Sequence, residues 1–207
     1  ILRMYVDDSV LKFMESKEFT NSLNANEMVE ATVAFFDICD FTLISESTEA
    51  DEVVSLLNNY FEIMVKEIIQ QKGIIDKFIG DAVMAVFKGK HHLDRAVECA
   101  LAIRDKLEKL PVIEGKTPFK PSVSIGINSG EMISGNIGSS MLKRLDYTVI
   151  GDVVNVAARL QGVAEKGQIC ITNECYEKIK ESFECQEVGM VNLKNKSIPV
   201  KVWKVMG

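Results

Sequence analysis

A surplus of positive charge is the first thing this chain lacks: 24 lysines and arginines face 30 acids, for a net charge of −6 over 207 residues. That argues against a nucleic-acid polymer as partner, because a phosphate backbone is bound by a basic face. A small phosphorylated ligand, which needs only a few local cations, stays open. No uninterrupted apolar run approaches the roughly 18 residues of a membrane-crossing helix, and no signal peptide is recognisable. The five cysteines (Cys39, Cys99, Cys170, Cys175, Cys185) form no CxxC pair. Several sit in apolar runs, which predicts buried, reduced thiols in a cytoplasmic protein. The two histidines, His91 and His92, are adjacent, a poor spacing for ligating one metal from one helix face. Repeats and low-complexity tracts are missing. So is an initiator methionine, and a chain that opens Ile1-Leu2 is expected to be a fragment of something longer.

What is present is an ordinary globular composition, 47% apolar and 26% charged, enough for one well-cored domain plus an appendage. Residues 1–14 carry Leu2, Tyr5, Val6, Val10, Phe13 and Met14 at spacings near three and four, an amphipathic helix too short to stand alone. With the polar stretch that follows, residues 1–29 read as a helical linker from an upstream regulatory region, and 30–207 as the main domain. Ala31-Thr-Val-Ala-Phe-Phe36 is a buried strand. A helix at about 49–71 follows, with Val53, Leu56, Leu57, Tyr60, Phe61, Met64 and Ile68 on one face. Two strand-like runs, 73–80 and 82–87, meet in a turn at Gly80-Asp81. After a helix at about 92–109, residues 121–128 alternate as a strand, which Ser129-Gly130 is expected to turn into a second one at 132–137. Residues 138–146 read as a polar, basic projecting arm, and 153–164 as a helix. Strand, helix, strand and strand follow at 168–171, 173–180, 184–191 and 200–205. The order βαββαβ with further strands predicts an α+β sheet with helices on one face.

Asp37 ends the first strand, and an acid there is costly unless a cation or a set of donors meets it. The helix at 49–71 makes strands one and two parallel, and the hairpin makes strand three antiparallel to strand one. If strands one and three are neighbours, Asp37 and Asp81 converge at one sheet edge. Two convergent carboxylates suit a pair of Mg²⁺ ions on a polyphosphate. Asp40 and Thr42 are good N-cap residues for a short helix from Phe41, whose free N–H groups would face the same edge. In the helix from Val153, Asn155 and Arg159 are spaced i, i+4 and share a face that is otherwise apolar. Lys194 and Lys196 could add cations for phosphates.

Three stretches then carry a resemblance: Phe36-Asp-Ile-Cys-Asp-Phe-Thr42, Lys77-Phe-Ile-Gly-Asp-Ala82, and Asp146-Tyr-Thr-Val-Ile-Gly-Asp-Val-Val-Asn-Val-Ala-Ala-Arg159. In this order, over roughly residues 30–205, they resemble the class III nucleotidyl cyclase catalytic domain. The resemblance implies a ferredoxin-like core with additional strands, a mostly antiparallel sheet covered by helices. It also implies a head-to-tail dimer that converts a nucleoside triphosphate to its 3′,5′-cyclic monophosphate. On this chain Asp37 and Asp81, with the Ile38 carbonyl, would bind two Mg²⁺ or Mn²⁺ ions. Asn155 would orient the ribose and Arg159 would stabilise charge on the α-phosphate. Lys194 would hold the outer phosphates, together with Lys143 or Arg144 of the arm.

Base choice in this family rests on two positions. Guanylyl members carry Glu in place of Lys77 and Cys or a similar residue in place of Thr148. Adenylyl members carry Lys with Asp or Thr, so Lys77 and Thr148 imply ATP. Lys77 lies four residues from Asp81, up to roughly 13 Å along a strand, too far for both to grip one nucleotide. The family solves this across the dimer. With every required residue on one chain, a homodimer with two composite active sites is expected. A guanylyl cyclase and a non-catalytic nucleotide-binding regulator are the alternatives. A diguanylate cyclase shares the split core, but its Gly-Gly-acid-acid-Phe hairpin is absent.

Overall fold

The computed structural model describes residues 26–113, 118–139, 144–194 and 196–207. The amphipathic helix expected at 1–14 lies outside them. The chain runs β1 (Glu27–Ile38), α1 (Phe41–Ser47), α2 (Ala50–Gln70), β2 (Ile74–Ile79), β3 (Ala82–Lys88), α3 (His92–Glu108), β4 (Val123–Ser139) and β5 (Arg144–Ile150). It continues through α4 (Asp152–Val163), β6 (Ile169–Thr172), α5 (Asn173–Ile179), β7 (Cys185–Val191) and β8 (Val200–Val205). The strands form a single sheet in the order β2-β3-β1-β4-β6-β8-β7, with β5 paired to β4 off this path. The pairings are antiparallel except β4 with β6, which is parallel. This is the α+β sheet that the element order predicts. Among the described residues no helix is long and apolar enough to cross a membrane.

The apolar run 31–36 becomes a central strand because both of its faces are covered. Ala34, Phe36 and Ile38 pack on one side with Tyr60, Met64 and Ile68 of α2 and Ala96, Ala100 and Ile103 of α3. Ala31, Val33 and Phe35 pack on the other side with Ala157 of α4 and Val149 of β5. Each wholly buried large side chain, such as Phe36, Phe87 or Ile125, stabilises the fold by about 1.5–3 kcal/mol through area removed from water.

Two expectations need correction. The helices do not all share one face: α4 lies opposite α2 and α3, because Val156, Ala157 and Leu160 give it an apolar stripe that the second face of the sheet must bury. Ser129-Gly130 makes no turn. The two residues pair with Thr32 and Ala31 of β1, and β4 continues unbroken for 17 residues, since cross-strand hydrogen bonding outweighs the local turn preference. Of the arm expected at 138–146, Gly138 and Ser139 pair with Leu145 and Arg144 as strand, and 140–143, including Lys143, lie outside the described residues.

One glycine decides how α4 sits. A Cβ on Gly126 of β4 would lie 2.2 Å from both the Ala157 carbonyl oxygen and the Gln161 nitrogen, which are backbone atoms of α4. The close approach therefore needs glycine. Gly126→Ala should push α4 off the sheet and cost at least about 1–3 kcal/mol, read as a lower midpoint in urea unfolding. An unchanged midpoint would show that the helix seating does not depend on this position.

Candidate active site

Strands β3 and β1 are neighbours, and that adjacency brings the two acids together. Asp37 stands opposite Ala82 on one side and Ser124 on the other. Asp81 precedes Ala82 in the hairpin turn, where Gly80 takes the left-handed conformation at φ 62° that the turn requires. Asp37 is half-buried, and burial first and the charge of Asp81 second push its carboxyl up to about 6. A hydrogen bond with Gln161 of α4 works in the opposite direction. Gln161 also donates to Ser124 Oγ at 2.9 Å, so α4 closes this corner from above. Two carboxylates held together in a partly dry corner, with the Cys39 thiol beside Ser124, offer hard oxygen ligands that fit a divalent cation such as Mg²⁺ or Mn²⁺. The Ile38 side chain is buried, so that residue could offer the site only its carbonyl.

The loop after β1 is built differently from its sequence pattern. Asp40 has φ 60° and makes no side-chain cap to α1. Its carboxylate pairs instead with Lys166, which outcompetes a neutral amide as partner. Phe41 is buried in the core, leaving its backbone as the part that could meet a ligand. Thr42 is exposed on α1.

A second polar group forms on the same face of the sheet. Lys77 pairs in register with Met84, whose side chain belongs to the α4 and β5 layer. The register slips between Ile75 and Lys77, so Asp76 is the extra, unpaired residue of a β-bulge. Its carboxylate is 95% buried by side chain, standing 3.3 Å from Lys77 Nζ, and it accepts a 2.8 Å hydrogen bond from the Thr148 hydroxyl. Strand β5 reaches this point by folding over β3. Lys88 donates to Ser134 Oγ at 3.0 Å, Ser134 donates to Tyr147 OH at 3.0 Å, and Lys88 lies 5.6 Å above the Tyr147 ring.

On α4, Asn155 is exposed and Arg159 half-buried. At about 100° per residue, Arg159 and Gln161 are about 200° apart around the helix, so Arg159 is directed away from its own chain's Asp37. Lys194 is exposed in the turn before β8, while Lys196 is tied to Asp152 at 2.6 Å. Arg144 opens β5. The structure thus brings Asp37 to Asp81 and joins Lys77 and Thr148 through Asp76, while Arg159 is directed away from Asp37. Sequence reasoning missed Gln161 and Asp76. Asp76 had a signal, since it is a lone acid inside the apolar run Ile74 to Ile79, the same costly placement that marked Asp37.

The family model for the adenylate and guanylate cyclase catalytic domain matches residues 23–207. An adenylate cyclase of Anabaena cylindrica is 37% identical over 177 residues, covering 82% of this chain. The chain spans 34% of the length of that relative. Among solved structures, the adenylyl cyclase CyaB from P. aeruginosa superposes with a TM-score of 0.81 at 34% identity, over 88% of this chain and 96% of that one. The guanylate cyclase domain of RhGC from Catenaria anguillulae, in complex with GTP, gives 0.77 at 26% identity, over 87% and 98%.

The raised Asp37 carboxyl has a consequence for stability. With a folded value of about 6 against roughly 3.9 unfolded, the folded state holds its proton more tightly than the unfolded state does. Its contribution is full below about pH 4 and is lost as pH rises through about 6. In chelator-treated protein, wild-type stability relative to Asp37→Asn should therefore decline between pH 4 and pH 7 in urea titrations. Adding Mg²⁺ at pH 7 should restore part of the difference. Parallel pH profiles for the two proteins would show that folding does not raise this carboxyl.

Proposed function

The chain belongs to the adenylate and guanylate cyclase catalytic domain family, and from that premise we propose that it is an adenylyl cyclase. It converts ATP to 3′,5′-cyclic AMP and pyrophosphate at two composite sites of a homodimer. The observation that carries this reading is the meeting of Asp37 and Asp81, where burial and mutual repulsion leave the corner short of positive charge. Asp37, Asp81 and the Ile38 carbonyl would hold two Mg²⁺ or Mn²⁺ ions. When bound, these supply charge neutralisation for the triphosphate and make the ribose 3′-hydroxyl a better nucleophile.

The chain's own residues do the rest by position and charge. In the reaction the 3′-oxygen bonds to the α-phosphorus as the bond to the β-phosphate oxygen breaks, and pyrophosphate leaves. Arg159 places a guanidinium where negative charge grows on the α-phosphate. Asn155 holds the ribose by hydrogen bonding, so the 3′-hydroxyl is aligned before it reacts. Lys194 meets the outer phosphates, joined by Lys143 or Arg144 from the arm, with the Phe41 and Thr42 backbone beside them. Lys77 donates to N1 of adenine and Thr148 accepts from its N6 amino group. Because Arg159 turns away from its own Asp37, each site takes its acids from one protomer and its Lys77, Thr148, Asn155 and Arg159 from the other. A two-fold pair makes two such sites.

Cyclic nucleotide formation from ATP and from GTP with Mn²⁺ tests the reaction directly, with ATP expected as the better substrate. Asp37→Ala and Arg159→Ala should each fall below about a tenth of wild-type rate, a loss of more than about 1.4 kcal/mol in transition-state stabilisation. Mixed and allowed to exchange subunits, they should recover about a quarter of wild-type activity. Half of the random pairs are hybrids, and each hybrid carries one intact site. No recovery after demonstrated exchange would place the whole site within one chain. For base choice, Lys77→Glu/Thr148→Cys should shift the ATP-to-GTP ratio of kcat/KM toward GTP by about tenfold or more. An unchanged ratio in an active variant would remove both residues from base reading.

A further inference from the structure

We propose that Asp76 is a positioning residue for substrate selection: it fixes Thr148 as a hydrogen-bond acceptor and Lys77 as a donor, so that the pair matches adenine and rejects guanine. This rests on the reading of Lys77 and Thr148 as the base-contacting pair. A threonine hydroxyl has one proton and free lone pairs, and by rotating it can serve as donor or acceptor. Left free, Thr148 would accept from the adenine amino group or donate equally well to the guanine carbonyl oxygen. It would not discriminate. In this structure its proton is committed, because the hydroxyl donates to Asp76 Oδ2 at 2.8 Å. Only lone pairs remain for a ligand, and these complement an amino group. The same Asp76 oxygen stands 3.3 Å from Lys77 Nζ, which holds a long, otherwise mobile ammonium beside Thr148.

The bulge is what makes this possible. In a regular strand, neighbouring residues point to opposite faces. The extra residue between Ile75 and Lys77 lets Asp76 share the face of Lys77 and reach Thr148 on β5. Bulges beside functional sites commonly re-aim a side chain in this way. The arrangement is also directional: a carboxylate at position 76 accepts hydrogen bonds and has none to donate, so it sets the polarity of its neighbour rather than merely bonding to it.

The test compares kcat/KM for ATP and GTP in wild type, Asp76→Asn, Thr148→Val and the double variant, with folding verified by circular dichroism. The amide of Asp76→Asn is nearly the same shape but can donate to the Thr148 oxygen and holds the ammonium less firmly. The ATP-to-GTP ratio should fall about tenfold, within the range of one well-formed base contact. In the Thr148→Val background the same substitution should change the ratio by less than about threefold, because coupled residues are not additive. Equilibrium binding of both nucleotides to the same proteins gives the ratio independently should turnover be lost. A ratio unchanged by Asp76→Asn, or changed equally in the absence of the Thr148 hydroxyl, overturns the role assigned to Asp76 while leaving the cyclase reading intact. A wild-type protein that cyclises neither nucleotide overturns that reading and this inference with it.

Discussion

Everything in this fold is arranged around a costly placement: two carboxylates, Asp37 and Asp81, side by side at the edge of a buried sheet. Burial first, and the like charge of Asp81 second, raise the Asp37 carboxyl. Such a corner survives because the surrounding structure leaves it no alternative. β1 is paired along nearly its whole length to β3 and β4, and its two faces are buried under different layers. The position of Asp37 is thus set by a strand that cannot slip without turning its core residues to the wrong face. Asp81 follows from the hairpin that pairs with it.

The two faces of the sheet divide the work. Helices α2 and α3 cover one face with apolar side chains, and that side supplies most of the hydrophobic stabilisation. The other face, under α4 and β5, carries the polar groups. Asp37 meets Gln161 there, and Asp76 joins Lys77 to Thr148. Buried polar groups on this side turn toward hydrogen-bonding neighbours, Asp37 toward Gln161 and Asp76 toward Thr148. Asn155 and Arg159 are the exception, since their helix turns them outward. With Arg159 acting on the α-phosphate as proposed, its direction away from its own Asp37 calls for a second copy to bring its acids to it. The homodimer in the proposed function follows from that orientation as much as from family membership.

In the proposed reading, substrate choice depends on very little. The family fold serves both adenylyl and guanylyl cyclases, so the sheet and its helices are indifferent to the base. Discrimination is left to the direction of a few hydrogen bonds. A hydroxyl is a poor discriminator until something fixes its proton, and a lysine is a poor one until something fixes its position. In the proposed reading both functions fall to Asp76, a buried carboxylate on a bulged strand.

Much of this was legible in the residues themselves. The alternation and length of the apolar runs marked the elements, and the Gly80-Asp81 turn with a crossover helix before it was enough to predict that Asp37 and Asp81 meet. Both depend on local periodicity and on the handedness of chain connections, which act over short stretches of sequence. Three features did not follow, each for a nonlocal reason. Ser129-Gly130 has the composition of a turn, but β1 offers it a continuous ladder of partners, and only the assembled sheet reveals that. Helix α4 could be recognised as apolar, yet which face of the sheet it covers was decided by the space left by α2 and α3 and by the gap at Gly126. Asp76, finally, carried only the signal of a lone acid in an apolar strand, which does not say what it meets. Its role arises from a bulge that redirects it and from β5 folding back over β3, which bring together residues 72 positions apart.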